Sequence, residues 1–221
     1  MESNDPHLVM VGGCDHRTGT SDEQQHHRRL EDWLRTHFDV EGIVHRWSGE
    51  PFEPVDGLPM IGAAPGKQNV YIATGLSGVG LTWGTAAASL LADIMVGNVS
   101  RLGRHLSPSR SGLSNVSQWI KEQATTTSNY AEHLLPTDPI RAGEMTSGEG
   151  MTGSLDGKHV AYCVDHDGCE HRLDPICPHK GGVLHWNAAE QTWDCPVHGG
   201  RFAADGQRIY GPPESNMKSI D

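Results

Sequence analysis

Between residues 22 and 38 apolar and aromatic side chains recur at spacings of three and four: Leu30, Trp33 and Leu34, then His37 and Phe38. That period predicts an amphipathic helix over residues 22–38, with Ser21 or Asp22 as its N-cap. Residues 7–13 and 42–48 read as short strands. Pro51, Pro54 and Pro59 exclude a helix between residues 50 and 59. Residues 69–74 predict a buried strand that runs straight into a glycine-rich turn, Gly75-Leu-Ser-Gly78-Val-Gly80, and then a helix over 82–96. Ala86, Ala87, Ala88 and Ala92 on that helix predict that something packs closely against it. Residues 99–130 are rich in Ser and Thr and read as linker with one short helix over 116–123. A composition shift puts a boundary near Leu135-Pro-Thr-Asp-Pro139. Beyond residue 140 the pattern is of short strands. Residues 159–164 and 170–173 flank Asp167-Gly168, a hairpin signal. Trp193 and Phe202 alternate with polar neighbours, and Asp205-Gly206 marks a second hairpin. The pattern is α+β, with helices early and a small all-β part late.

The densest chemistry lies between residues 177 and 202. Two short loops each offer one thiolate and one imidazole: Cys177 with His179, and Cys195 with His198. Pro178 and Pro196 stiffen the loops, and the pairs Gly181-Gly182 and Gly199-Gly200 supply the turns that a loop wrapped on a metal needs. Two cysteines and two histidines can hold one zinc or a two-iron cluster. Zinc fingers pair cysteine with cysteine and histidine with histidine. Here each loop mixes them, as C-x-H, fifteen intervening residues, then C-x-x-H. A mixed zinc site is the competing chemistry.

This arrangement resembles the Rieske [2Fe-2S] family. The resemblance implies that Cys177 and Cys195 bind one iron and His179 and His198 the other, and that Gly211-Pro212-Pro213 is the proline loop covering the cluster. High-potential members of that family carry a disulfide between the ligand loops, and serine and tyrosine hydroxyls just after the second loop. The matching positions here are Gly182 and Val197, and Gly200 and Phe202. The resemblance therefore implies a potential in the lower part of a range that runs from roughly −150 to +300 mV.

The strand, glycine turn and helix at residues 69–96 invite a dinucleotide reading, but G-x-G-x-x-G from Gly78 would need glycine where Trp83 stands. Instead, Asp56-Gly-Leu-Pro-Met-Ile-Gly62 followed by the turn at Gly75–Gly80 resembles the C-terminal part of FAD-dependent oxidoreductases of the D-amino-acid and glycine oxidase type. One branch of that family carries a C-terminal Rieske domain. The resemblance implies a partial α/β flavoprotein domain over 1–135, lacking its N-terminal Rossmann unit, and a Rieske domain over 136–221. It places Asp56, Gly57, Leu58, Gly75, Ser77, Gly78, Val79, Gly80 and Leu81 near a flavin. With the G-x-G-x-x-G unit not in evidence, the FAD site would be incomplete in this chain, as in a fragment or a split subunit.

Composition narrows the partners. The formal net charge of −11 argues against a nucleic-acid surface. No apolar run reaches the length of a membrane span, and the acidic start does not read as a signal peptide. Five cysteines, two of them ligand candidates, do not form a disulfide framework, so a reducing cytoplasm is expected, with Cys14, Cys163 and Cys169 as ordinary buried or half-buried thiols. Of the fourteen histidines, His26 and His27 are expected to be solvated and His185 to pack. The implied function is a flavin-linked amine or amino-acid oxidase whose cluster relays single electrons between flavin and a redox partner. No substrate base is nameable. The implied partners are that redox protein, an N-terminal FAD-binding half, and a small amine or amino-acid substrate. A stand-alone Rieske-type electron carrier is the alternative, and a zinc-binding interaction module a third.

Overall fold

The computed structural model describes residues 8–20, 22–110, 129–130 and 136–220. The helix expected over 116–123 and the start of the boundary segment at Leu135 lie outside them. By internal contacts the chain divides into two compact units, one made of Met1–Ser48 and Thr126–Asp221 and the other of Gly49–Thr125. Residues that resemble a flavoprotein therefore contribute to both.

The first unit opens with extended chain and helix α1 (Glu23–His37), capped by the Asp22 side chain, which accepts from the Gln25 N–H. The face of α1 that is covered differs from the expected apolar stripe. Leu34 and Glu23 are buried, whereas Trp33 and Phe38 stay exposed, with Trp33 stacked on His37 at 4.3 Å. Among the described residues, neither 8–13 nor 42–48 forms a strand. A strand exists only where a neighbour completes its ladder, and no described residue pairs with these.

The sheets of this unit are antiparallel. Strands β3 (Gly150–Leu155), β4 (Lys158–Val164) and β5 (Glu170–Leu173) form one sheet in that order. Strands β6 (His185–Asn187), β7 (Thr192–Asp194), β8 (Arg201–Ala203) and β9 (Arg208–Tyr210) form another. Strand β4 is buried on both faces, and its period of two sorts its side chains. Ala161 and Cys163 join a cluster with Leu173, Leu184, Trp193 and Phe202. Val160, Tyr162 and Val164 join a second with Ile140. Trp186 packs on Trp193 with ring centroids 4.9 Å apart. Gly150 makes room for it, because a Cβ there would lie 2.5 Å from the indole. The hairpins expected at Asp167-Gly168 and Asp205-Gly206 are both present.

The second unit is a hairpin of β1 (Met60–Ala63) and β2 (Tyr71–Thr74) with helices α2 (Gly80–Met95) and α3 (Arg101–His105). Its core is Ile61, Ala87, Leu90 and Leu106. Strand β2, expected to be buried, is half exposed. Close packing on α2 is confined to the face of Ala87 and Leu90, and Ala88 and Ala92 are exposed. No described helix is long and apolar enough to cross a membrane.

Candidate metal centre and glycine turn

The first ligand loop joins β5 to β6 and the second joins β7 to β8. They share one backbone pattern. The Cys177 N–H donates to Gly182 O at 2.8 Å and the Gly181 N–H to Cys177 O at 3.0 Å. The Cys195 N–H donates to Gly200 O at 2.8 Å and the Gly199 N–H to Cys195 O at 3.0 Å. Gly181 and Gly199 sit at φ +78° and +68°, the left-handed region that closes each loop. Both cysteines are buried, His179 is half-buried and His198 is exposed.

The four side chains converge in pairs. The imidazoles of His179 and His198 lie 5.0 Å apart edge to face, and the two cysteines are hydrogen-bonded to each other. That bond, followed by burial, raises the Cys177 thiol. It lowers Cys195, which also accepts from the N–H groups of Val197, His198 and Gly200. Partial loss of solvent around its ring pushes His198 down, with the charges of His179, Lys180 and Arg17 adding to it, which favours the neutral ligating imidazole. Among the described residues no three His, Cys, Asp or Glu side chains converge on a single ion. A cysteine pair inside and an imidazole pair outside fit a binuclear cluster that takes two ligands per iron. The space around them is also shaped for it. A Cβ on Gly200 would lie 2.8 Å from the Pro213 ring and 3.6 Å from Cys177 Sγ. One on Gly182 would lie 2.5 Å from Val197 Cγ2 and 3.1 Å from Cys195 Sγ. Pro213 is buried, and Gly211 packs on Gly199 and Gly200, so the Gly211-Pro212-Pro213 loop lies on the second ligand loop.

Behind the second loop lies a charged network that the sequence reading missed. Asp194 is buried and stands directly across β7 and β8 from Arg201. Arg201 grips it with Nε and Nη2 at 2.9 and 2.8 Å, and its Nη1 donates to Glu190 and to Ser48 Oγ. Thr192 Oγ1 and Asn187 Nδ2 complete the carboxylate. The available signal was two opposite charges beside Trp193 and Phe202 on facing strands; alternation alone assigned them to solvent. His26 and His27, expected in solvent, face this region instead. His26 stacks on His16 at 3.8 Å, and His27 Nε2 lies 3.8 Å from Glu190. Cys163 is buried with its thiol pushed up to about 12 by burial, so it is inert, while Cys169 is exposed.

In the second unit the two flavoprotein-like segments come together. A Cβ on Gly75 would lie 2.3 Å from Pro54, and one on Gly78 3.8 Å from Pro51. Gly57, Gly75, Ser77 and Gly78 all have left-handed φ, and Val79 caps α2 with no side-chain hydrogen bond. The helix end is thus open toward Leu81, which is 93% exposed. This turn fits the edge of a polar ligand. Asp56 has another task. Arg110 holds both its oxygens, with Nε and Nη2 at 2.6 and 2.8 Å, and also binds the Leu58 and Pro59 carbonyls. The Arg110 guanidinium keeps the Asp56 carboxyl below its ordinary range.

A small antiparallel β domain with two matched Cys/His loops under a proline loop has the build of a Rieske iron–sulfur domain. Comparison with known proteins agrees. Residues 138–221 match the Rieske [2Fe-2S] domain family and residues 3–94 the FAD dependent oxidoreductase (DAO) family. The chain therefore joins a stretch of an FAD-dependent oxidoreductase domain to a Rieske domain, and the two imply FAD and a [2Fe-2S] cluster as cofactors. YhfW of Bacillus subtilis (strain 168), provisionally named as a Rieske 2Fe-2S iron-sulfur protein, is 29% identical over 99% of this chain and 43% of its own length. The cytochrome b6-f complex iron-sulfur subunit of Synechococcus elongatus is 26% identical over 63% of this chain and 72% of its own. The plasma membrane Rieske protein PetC3 of Synechocystis PCC 6803 covers 33% of this chain and 74% of its own at 26% identity, with a TM-score of 0.30. The chain spans less than half the length of YhfW.

Proposed function

We propose that this chain is part of a flavin-linked oxidoreductase of the amine or amino-acid oxidase type, whose Rieske centre passes single electrons between the flavin and a redox partner. The observation that carries this reading is the pair of matched Cys/His loops in a chain that also folds the glycine turn onto its Pro51–Pro59 partner segment. When bound, the flavin would supply two-electron oxidation of the substrate and the cluster one-electron transfer. Cys177 and Cys195 are the ligands of the buried iron. His179 and His198 hold the outer one, and exposed His198 is the exit toward a partner protein. Gly57, Leu58, Gly75, Ser77, Gly78, Val79, Gly80 and Leu81 line the flavin edge. Asp56 acts at one remove, holding Leu58 and Pro59 in place through Arg110. A complete FAD site of this type also needs a nucleotide-binding βαβ unit, so residues 1–221 by themselves are expected to bind FAD more weakly than micromolar in equilibrium dialysis.

A stand-alone electron carrier is the second reading. What favours it is that, among the described residues, the β unit has a larger buried core than the other unit has. Anaerobic mixing of the chain with increasing reduced FAD separates the two. The relay predicts cluster bleaching that saturates with FAD and weakens in Gly78→Val, since left-handed Gly78 cannot take a branched side chain without strain. Bleaching that is linear in FAD and indifferent to Gly78→Val would assign the carrier.

A further inference from the structure

The segment before α1 lies across the second ligand loop, and its contacts are made to the backbone of that loop. Gly19 is buried at φ +68°, and a Cβ there would lie 2.9 Å from Asp194 O and 3.1 Å from Pro196 N. Glycine is required at this point both for its backbone conformation and for the close approach. Arg17 Nε donates to Pro196 O at 3.3 Å, and the buried Asn129 amide donates to the same oxygen at 3.4 Å. The segment is tied back to α1 by the stack of His16 on His26, and Ser48, at the far end of the same stretch, bonds Arg201 behind the loop.

Pro196 O belongs to the peptide whose other end is the Val197 N–H, and that N–H donates to the Cys195 sulfur. A trans peptide is planar, so its carbonyl and its N–H point in opposite directions. Whatever orients the Pro196 carbonyl therefore orients the hydrogen bond to the sulfur. A cation on the carbonyl also polarises the peptide and strengthens the bond at its far end. Hydrogen bonds to ligand sulfurs favour the electron-rich reduced cluster and raise its potential.

We propose that the strap Arg17–Gly19 is a positioning element of the metal centre, which sets the Val197 N–H to Cys195 sulfur bond through the Pro196 carbonyl and thereby raises the cluster potential. The strap lies inside residues 3–94, the stretch matched by the FAD-dependent oxidoreductase family. The flavoprotein-like part of the chain thus tunes the centre with which it would exchange electrons. This proposal depends on the [2Fe-2S] reading of the ligand loops.

The test is a redox titration of the full chain, followed by electron paramagnetic resonance, on wild type, Arg17→Gln, Arg17→Lys, Gly19→Ala and Arg28→Gln. Arg28→Gln removes the same charge from the exposed Arg28–Asp22 pair on α1 and serves as the control. Arg17→Gln and Gly19→Ala are expected to lower the midpoint potential and change the signal shape, Arg17→Lys to restore part of the shift, and Arg28→Gln to match wild type. Cluster loss to a chelator should be about tenfold faster in Gly19→Ala, as for other residues that support a ligand. A wild-type potential in both Arg17→Gln and Gly19→Ala with the cluster intact would overturn the proposal, as would an equal shift in Arg28→Gln. A wild-type chain that assembles no cluster would overturn the iron–sulfur reading itself, and the proposal with it.

Discussion

The two units of this chain bury themselves to different degrees. In the β unit one strand, β4, feeds two clusters, and Trp193, Phe202 and Tyr162 are fully enclosed. Among the described residues of the unit 49–125, four buried side chains with Trp83 and Leu91 against them make the core, while Leu81, Val79 and Val96 on or beside α2 remain exposed. Burial of apolar area is the main stabilising term in folding, so the β unit holds its ligand loops on a rigid frame and the other unit holds its glycine turn on a weak one. The candidate metal loops therefore belong to the unit with the larger buried core. The difference leaves the glycine turn dependent on the nearby Asp56–Arg110 clamp.

The largest effect expected is at the cluster. Cys195→Ser should abolish the visible colour and the paramagnetic signal of the reduced protein, whereas Cys169→Ser, at an exposed thiol outside the site, should keep both. A normal cluster in the Cys195 variant would break the comparison at its root.

Next comes the contrast in cores. Trp193→Ala should destabilise the β unit by about 3–5 kcal/mol, and Leu90→Ala, at the edge of a small cluster, should cost the other unit about 2 kcal/mol. Hydrogen exchange read peptide by peptide separates the two. Equal costs would show that the four-residue core is tighter than it looks.

Much of the β unit was legible in the sequence, because hairpin turns with Asp-Gly and ligand spacing are local signals. Asp167-Gly168 and Asp205-Gly206 turn where expected, and the ligand loops fall between the strands that those turns organise. The failures share a cause. Residues 42–48 have the side chains of a strand and, among the described residues, no strand pairs with them. Asp194 and Arg201 look like solvent-facing alternation, yet they satisfy each other inside. His27 looks solvated because its partner, Glu190, is far away in the chain, and His26 because its partner, His16, lies outside the helix. The Arg17–Gly19 strap carries no motif at all, since what it recognises is backbone.

Pairing across the ligand loops sharpens the comparison further. A Cβ on Gly182 would stand 3.3 Å from Val197 Cβ, close to the 3.5–4.5 Å span of a disulfide. The double substitution Gly182→Cys with Val197→Cys is therefore expected to close a bridge and raise the cluster potential. Thiol titration with voltammetry before and after reduction checks both parts, and an oxidised variant at wild-type potential would show that the bridge is not what raises it. Gly200→Ser should raise the potential less, because its Cβ meets the Pro213 ring at 2.8 Å and the proline loop must shift to admit the hydroxyl.

The smallest effect expected is in acid. Asp56 is held below its ordinary range by Arg110, so its folded value is depressed. The stabilisation it gives is present above the unfolded value near pH 4 and is lost as pH falls through the folded one. Exchange protection around residues 54–59 should fall in that window, and Asp56→Asn should remove the pH dependence while lowering protection at neutral pH. An unchanged acid profile in Asp56→Asn would assign the clamp to the other Arg110 bonds.

The central claim is that Cys177, His179, Cys195 and His198 hold a two-iron cluster, and metal and sulfide analysis of the purified full chain tests it most directly. The account predicts iron and acid-labile sulfide in equal amounts, two of each per chain, with a paramagnetic signal that appears only on reduction. Stoichiometric zinc without sulfide would contradict it.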